Sequence, residues 1–88
     1  MKIIVEKATE EKIKELGAAS WPVWEKEPSS FPWSYDSQET CYVIEGKAAV
    51  KAGDEEVEFG AGDIVVFPQG LECEWKISEH IKKHYKFG

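Results

Sequence analysis

An 88-residue chain has room for one domain, and we expect a single domain over residues 1–88. Its 17 acidic side chains outnumber the 11 basic ones and leave a net charge of −6. This charge argues against binding to nucleic acids or anionic membranes, because both require a basic protein surface. No apolar run approaches the roughly 20 residues of a membrane-spanning helix, and Glu6 interrupts the first apolar stretch too early for a signal peptide. We therefore expect a cytoplasmic protein.

Cys41 and Cys73 form no C-x-x-C pair and are expected to be free thiols.

The first third of the chain predicts one short helix and then an extended arm. Thr9 can cap a helix whose first turn is acidic, and Gly17 can end it. Residues 20–32 contain three prolines, which exclude a helix or a central strand and indicate an extended segment running over the domain. Within this arm we expect Trp21 and Trp24 to cover a sheet face or a dimer interface.

Beyond the arm, apolar residues recur with the period of two that is typical of strands. In residues 39–45, Glu39 and Cys41 share one face, and Tyr42 and Ile44 lie on the other. Further strand patterns lie around residues 48–50, 57–59, 64–67, 73–77 and 81–87. Several short strands separated by glycine-rich turns predict an all-β sandwich or barrel.

Two spaced motifs sharpen this prediction. They read Trp33-x-Tyr35-x3-Glu39-x6-Gly46 and Gly62-x5-Pro68-x-Gly70-x2-Cys73-x3-Ile77. Their glycines, proline and acid have the spacing of the two cupin motifs, G-x5-H-x-H-x3-4-E-x6-G and G-x5-P-x-G-x2-H-x3-N. Regions 33–46 and 62–77 therefore resemble a cupin. With Trp21-Pro22-Val23-Trp24-Glu25 and residues 39–46, the chain resembles the small single-domain cupins grouped with the (S)-ureidoglycine aminohydrolase cupin domain. The resemblance implies a cupin jelly-roll β-barrel with one short N-terminal helix.

The motifs depart from the family at the metal-binding positions. Where metal-binding cupins place two histidines, an acid and a third histidine, this chain has Trp33, Tyr35, Glu39 and Cys73. One carboxylate and one thiolate fall short of the three or four ligands of a stable transition-metal site. The manganese-binding histidines of the aminohydrolase are also absent. We therefore expect no tightly bound metal and no other cofactor. An alternative is a metal ion bound by Glu39 and Cys73, with Cys41 or Tyr35 as a further ligand.

By the same resemblance, the inner faces of the strands line a pocket. The expected ligand-binding residues are Trp33, Tyr35, Glu39, Cys41, Cys73 and Trp75. Such a pocket is mostly apolar with a few convergent polar groups, which is typical of small-molecule sites. We expect it to bind a small polar metabolite through Glu39 and Cys73. If the protein is an enzyme, Glu39 is the candidate general acid or base, with Cys73 and Tyr35 assisting.

Other interpretations of these residues stay open. Tyr35 or an indole N–H could simply hold the Glu39 carboxylate, and Cys73 could be a small buried residue. The aromatic side chains could fill the barrel, which would leave a non-catalytic structural or interaction module. His84, in a basic run, is expected at the solvated surface. The apolar outer face that carries Tyr42 requires a cover, and a second copy of the chain can provide part of it, so we expect a homodimer.

Overall fold

The computed structural model describes residues 2–88. Its elements are β1 (Ile4–Lys7), α1 (Glu10–Leu16), a short 3-10 helix (Ala18–Ser20), β2 (Val23–Lys26), β3 (Ser29–Ser34), β4 (Glu39–Ala52), β5 (Glu55–Gly60), β6 (Asp63–Phe67) and β7 (Glu72–Phe87). The predicted mostly-β fold with one short N-terminal helix is confirmed. No helix in residues 2–88 is long and apolar enough to cross a membrane.

The helix α1 begins and ends where its capping signals lie. The Thr9 hydroxyl accepts a hydrogen bond from the backbone N–H of Lys12, at 3.1 Å. Gly17 takes a left-handed conformation with φ of 70° and ends the helix. No side chain of α1 is fully buried, so this helix contributes little to the core.

Two long strands organise the sheet. The strand order is β1-β6-β4-β7-β2, with β3 also paired to β7 and β5 also paired to β4. Strands β4 and β7 run antiparallel, from Glu39 opposite Phe87 to Lys51 opposite Glu74. The first part of β4 pairs with β6 and the later part with β5. Likewise, β3 pairs with the beginning of β7 and β2 with its end. Each long strand therefore belongs to two groups of strands.

The change of partner coincides with an irregularity in the β4–β7 ladder. The register shifts between Val43 and Ala48, and Gly46 lies within this stretch with φ of +87°. A Cβ atom at Gly46 would lie 2.1 Å from the carbonyl oxygen of His80 on β7. Glycine is required here because the two backbones approach closely and the conformation is left-handed.

Two sequence predictions need correction. The last strand does not begin near residue 81, because β7 is continuous from Glu72 to Phe87. The proline-rich arm is extended, as predicted, but it does not run over the domain as a cover, because it forms the two strands β2 and β3, both paired to β7. Pro32 is tolerated in β3 because a proline, which lacks an N–H group, can lie on a strand at the margin of a sheet.

The core follows the predicted alternation. In β4, Cys41 and Val43 are fully buried and Tyr42 between them is half-buried. In β6, Ile64 and Val65 are adjacent and both buried, so this strand is covered on both faces as predicted. Strand β6 lies between β1 and β4, which explains its continuous apolar sequence.

Candidate functional site

A cavity of about 210 Å³ lies between the arm strands and the ends of β4 and β7. Its lining comprises Trp24, Phe31, Trp33, Tyr35, Glu39, Trp75, Lys83, Tyr85 and Phe87. Seven of these nine side chains are aromatic: six come from β2, β3 and β7, and Tyr35 comes from the segment between β3 and β4. Among residues 2–88, Glu39 and Lys83 are the only lining residues that are charged at neutral pH.

The aromatic wall is held by contacts among the rings. Phe31 lies opposite Trp75 in the β3–β7 register, and their rings stack with centroids 6.1 Å apart and planes 7° apart. Trp24 meets both rings edge-on, at 6.4 and 6.3 Å. Such cross-strand and edge-to-face pairs are favourable beyond their burial. Trp33 is 48% exposed and forms part of the cavity rim.

A buried ion pair forms the polar part of this wall. The Lys83 ammonium donates a hydrogen bond to Glu39 Oε2 at 2.8 Å and another to Cys41 Sγ at 3.2 Å. Glu39 is 3% exposed and Lys83 is 4% exposed. A buried charge is tolerated only when it is paired, and each of these residues provides the partner of the other.

Lys83 keeps its charge in this environment. Burial by itself lowers the pKa of the Lys83 ammonium, but electrostatic attraction and hydrogen bonds to the neighbouring Cys41 and Glu39 side chains raise that pKa by more. The net pKa of Lys83 is therefore raised. The ammonium also lies 5.0 Å from the Trp24 ring and 4.8 Å from the Trp75 ring, so two aromatic faces stabilise the cation.

Tyr35 lies beside this pair as a neutral phenol. Its hydroxyl oxygen accepts a hydrogen bond from Trp75 Nε1 at 3.3 Å. Burial, followed by the charge of Glu39, raises the pKa of Tyr35 well above its ordinary value. A hydrogen bond between Tyr35 and the Glu39 carboxylate also contributes to this raised pKa, so Tyr35 helps to hold the carboxylate beside the Lys83 donor. The indole N–H of Trp75 donates to Tyr35 instead.

The two cysteines are free thiols, as predicted, but neither lines the cavity. Burial raises the pKa of the fully buried Cys41 to about 12. Burial, with the charge of Glu39, raises the pKa of Cys73 to about 11, as expected for a thiol near a carboxylate. The Cys73 sulfur lies 3.6 Å from the carbonyl oxygen of Trp33. Thiols with raised pKa values are weak nucleophiles, and the cavity meets Glu39 without meeting either sulfur.

The donor set does not fit the metal of metal-binding cupins. Among residues 2–88, no group of three or more His, Cys, Asp or Glu side chains is arranged to hold an ion. The Glu39 carboxylate and the Cys41 sulfur, two of the proposed metal ligands, already accept hydrogen bonds from Lys83. An ammonium therefore lies where a metal would need these two donors.

Lys83 was missed in the sequence, and two other residues lie elsewhere than expected. The signal for Lys83 was its alternation with Ile81 and Tyr85, which predicts one shared face of the strand. Trp24 was expected on an outer cover but lines the cavity. His84 is half-buried rather than solvated, because its Nδ1 lies 2.9 Å from the carbonyl oxygen of Trp21 and its ring stacks on Tyr42.

Comparisons with known proteins agree with this architecture. Residues 13–85 match the EutQ-like cupin domain family. A search of curated proteins finds no match. Among solved structures, a DUF861 family protein from Thermotoga maritima is 48% identical, with 99% of this chain and 100% of that chain covered and a TM-score of 0.95.

More distant structures share the fold. Clostridium difficile EutQ is 20% identical, with 74% of this chain and 52% of that chain covered and a TM-score of 0.69. A putative ethanolamine utilization protein Q from Salmonella typhimurium LT2 is 20% identical, with 99% of this chain and 69% of that chain covered and a TM-score of 0.70. These relatives confirm the predicted cupin jelly roll. The extent of the family match and the near-complete overlap with the Thermotoga maritima protein show that this chain belongs to the EutQ-like cupin family, with the small DUF861 proteins.

Proposed function

We propose that this protein binds a small polar molecule in the aromatic cavity through the Glu39–Lys83 pair. The supporting observation is that the pair lies in the wall of a cavity whose remaining lining is almost entirely aromatic. A few polar groups in an apolar concave site are typical of ligand pockets.

The energetics of the pair support a functional role. Replacing a buried ion pair by apolar residues of similar size is often neutral or stabilising, so the fold alone does not require Glu39 and Lys83. Both residues lie at the cavity, where a ligand could use them. An open cavity beside Glu39 also favours a ligand site over the alternative of a plugged barrel that serves only as an interaction module.

Acid–base catalysis in the same cavity is a second candidate function. It is favoured by the hydrogen bond of 2.8 Å between Lys83 Nζ and Glu39 Oε2, which joins a proton donor to a proton acceptor at the cavity wall. Tyr35 is a third group able to donate a hydrogen bond there. The cysteines have no part in this candidate.

The resemblance to the (S)-ureidoglycine aminohydrolase cupin domain stays a prediction. The donor chemistry described above does not reproduce a metal site, so the manganese chemistry of that enzyme is not carried over. The shared feature that we propose is narrower: a cupin pocket that receives a small polar metabolite.

A pooled ligand screen tests the binding proposal. A set of small neutral, anionic and cationic ring compounds is screened by saturation-transfer NMR against the wild type, Glu39→Gln and the matched control Glu74→Gln. Glu74 is an exposed residue of β7 outside the cavity. Signals of bound neutral and cationic compounds should disappear with Glu39→Gln and persist with Glu74→Gln. A Glu39→Gln protein that melts at a lower temperature but binds the same compounds would contradict the proposal.

Homodimer formation is a separate proposal. Tyr42 and Ile44 are only half-buried in the single chain, so a second copy could cover them further. Light scattering at micromolar concentration should give twice the mass of 10.0 kDa. A monomeric mass at that concentration would rule out the dimer.

A further inference from the structure

The charge balance of the cavity restricts what it can bind. Among residues 2–88, Glu39 and Lys83 are the only charged residues in its lining, and they neutralise each other. For an anionic ligand, attraction by Lys83 is offset by repulsion from Glu39, and for a cationic ligand the reverse holds, so the pair favours neither charge. The faces of Trp24 and Trp75, which could attract a ligand cation, already lie against the Lys83 ammonium.

The pair nevertheless keeps unused hydrogen-bonding capacity. An ammonium has three N–H donors, and only two of those of Lys83 meet an acceptor among residues 2–88. The Glu39 carboxylate has about four lone-pair sites, and its hydrogen bonds to Lys83 and Tyr35 occupy only some of them. Because Glu39 lines the cavity, its remaining acceptor capacity faces a ligand there. A spare donor therefore lies beside a spare acceptor.

The shape of the cavity restricts the ligand further. Its volume of about 210 Å³ is below the roughly 300–1,000 Å³ of pockets for drug-sized ligands. Apart from Glu39 and Lys83, its lining is aromatic, and of these rings Trp33 is 48% exposed and Phe31 is half-buried. Accessible aromatic surface and a small volume fit a single planar ring.

From these observations we infer that the ligand is a small, neutral, planar molecule with a hydrogen-bond acceptor next to a donor, as in a carboxamide or a ring lactam. The acceptor of the ligand meets Lys83 and its donor meets the Glu39 carboxylate, while the ring packs against the aromatic wall. The inference rests on the proposed binding function and specifies its ligand class.

Three isosteric probes test this ligand class. Benzamide is neutral, benzoate is anionic and benzamidine is cationic, and all three share one planar shape. Their dissociation constants are measured by NMR titration at pH 7 with the wild type. Benzamide should bind at least about tenfold more tightly than either charged probe, a difference of about 1.4 kcal/mol.

Variants of the pair should change the ranking of the probes. Glu39→Gln leaves Lys83 as the only charge and should make benzoate the tightest of the three. Lys83→Met leaves Glu39 and should favour benzamidine; if this variant does not fold by circular dichroism, the Glu39→Gln result alone decides. Glu74→Gln and Lys76→Met, exposed residues of β7 outside the cavity, should keep the wild-type ranking.

The failures can be told apart. If benzoate or benzamidine binds the wild type as tightly as benzamide, or if Glu39→Gln keeps the wild-type ranking, the ligand class is wrong although a binding site exists. If none of the three probes binds, the ligand class is also wrong. The binding proposal itself is then decided by the wider pooled screen, because neutral and cationic compounds outside this class should still lose their signals with Glu39→Gln.

Discussion

Replacement of Lys83 by methionine should destabilise the protein severely. The change keeps the length of the side chain but leaves the Glu39 carboxylate, 3% exposed, without its charged donor. Removing one partner of a buried ion pair costs about 3–5 kcal/mol. At about 0.05–0.15 kcal/mol per residue, an 88-residue domain has a free energy of unfolding of about 4–13 kcal/mol. The variant should therefore lose a large share of its stability in urea unfolding followed by circular dichroism.

A double-mutant cycle separates the ion pair from simple packing. If the cost comes from an unpaired carboxylate, adding Glu39→Leu to Lys83→Met should restore stability, because an apolar pair replaces an ionic one. The double variant should be at least about 2 kcal/mol more stable than the sum of the single effects predicts. Lys82→Met, at the half-buried neighbouring position, should stay within about 0.5 kcal/mol of the wild type. Additive single effects, or a Lys83→Met cost below about 1 kcal/mol, would refute the reasoning.

Two further predictions concern stability. The thiol of Cys41 has a reference pKa of 9.0, which burial raises to about 12 in the folded chain, so above pH 9 the unfolded chain releases a proton that the folded chain retains. This group should therefore lower the free energy of unfolding by about 1.4 kcal/mol for each pH unit above 9. Cys41→Ala should remove this contribution to the pH dependence of the urea unfolding midpoints between pH 8 and 10.5. An unchanged pH dependence would contradict the prediction. Gly46→Ala should lower stability by about 3 kcal/mol or more, because φ is +87° and the new Cβ would meet the His80 carbonyl. Gly53→Ala, with φ of +59° and no atom within 4 Å of a Cβ, should cost about 1 kcal/mol, and equal melting temperatures of the two variants would disprove the close approach.

The fold was predictable because its local signals agree with its tertiary arrangement. The helix from Glu10 to Leu16 has a cap at each end, and the alternation of β4 and β6 survives in their burial. The pairing of the arm was not predictable in the same way. Prolines in residues 20–32 indicate extended backbone. The strand with which this segment pairs, β7, lies some fifty residues later in the chain, and the local sequence does not identify it.

The sequence predicted the acid and the aromatic residues of the candidate site but not its lysine. The cupin spacing placed Glu39, Tyr35 and Trp33 at the cavity, where the structure also has them. Lys83 was overlooked because a lysine in the basic run of residues 82–86 is usually solvated, and burying an ammonium is costly without a partner. The partner, Glu39, is 44 residues away in sequence, so the pair becomes visible only when β4 and β7 lie side by side.

Lys83 provides the positive partner that the retained acid of the first cupin motif, Glu39, requires. The acid of the first motif is retained as Glu39, while the neighbouring motif positions carry Trp33, Tyr35 and Cys73. A retained buried carboxylate still requires a positive partner, and β7 supplies it from outside both motifs. An ammonium differs from a metal ion in offering directional N–H donors. Recognition at this cavity should accordingly depend on matching hydrogen-bond donors and acceptors at the edge of the ligand, which is the property that the benzamide comparison measures.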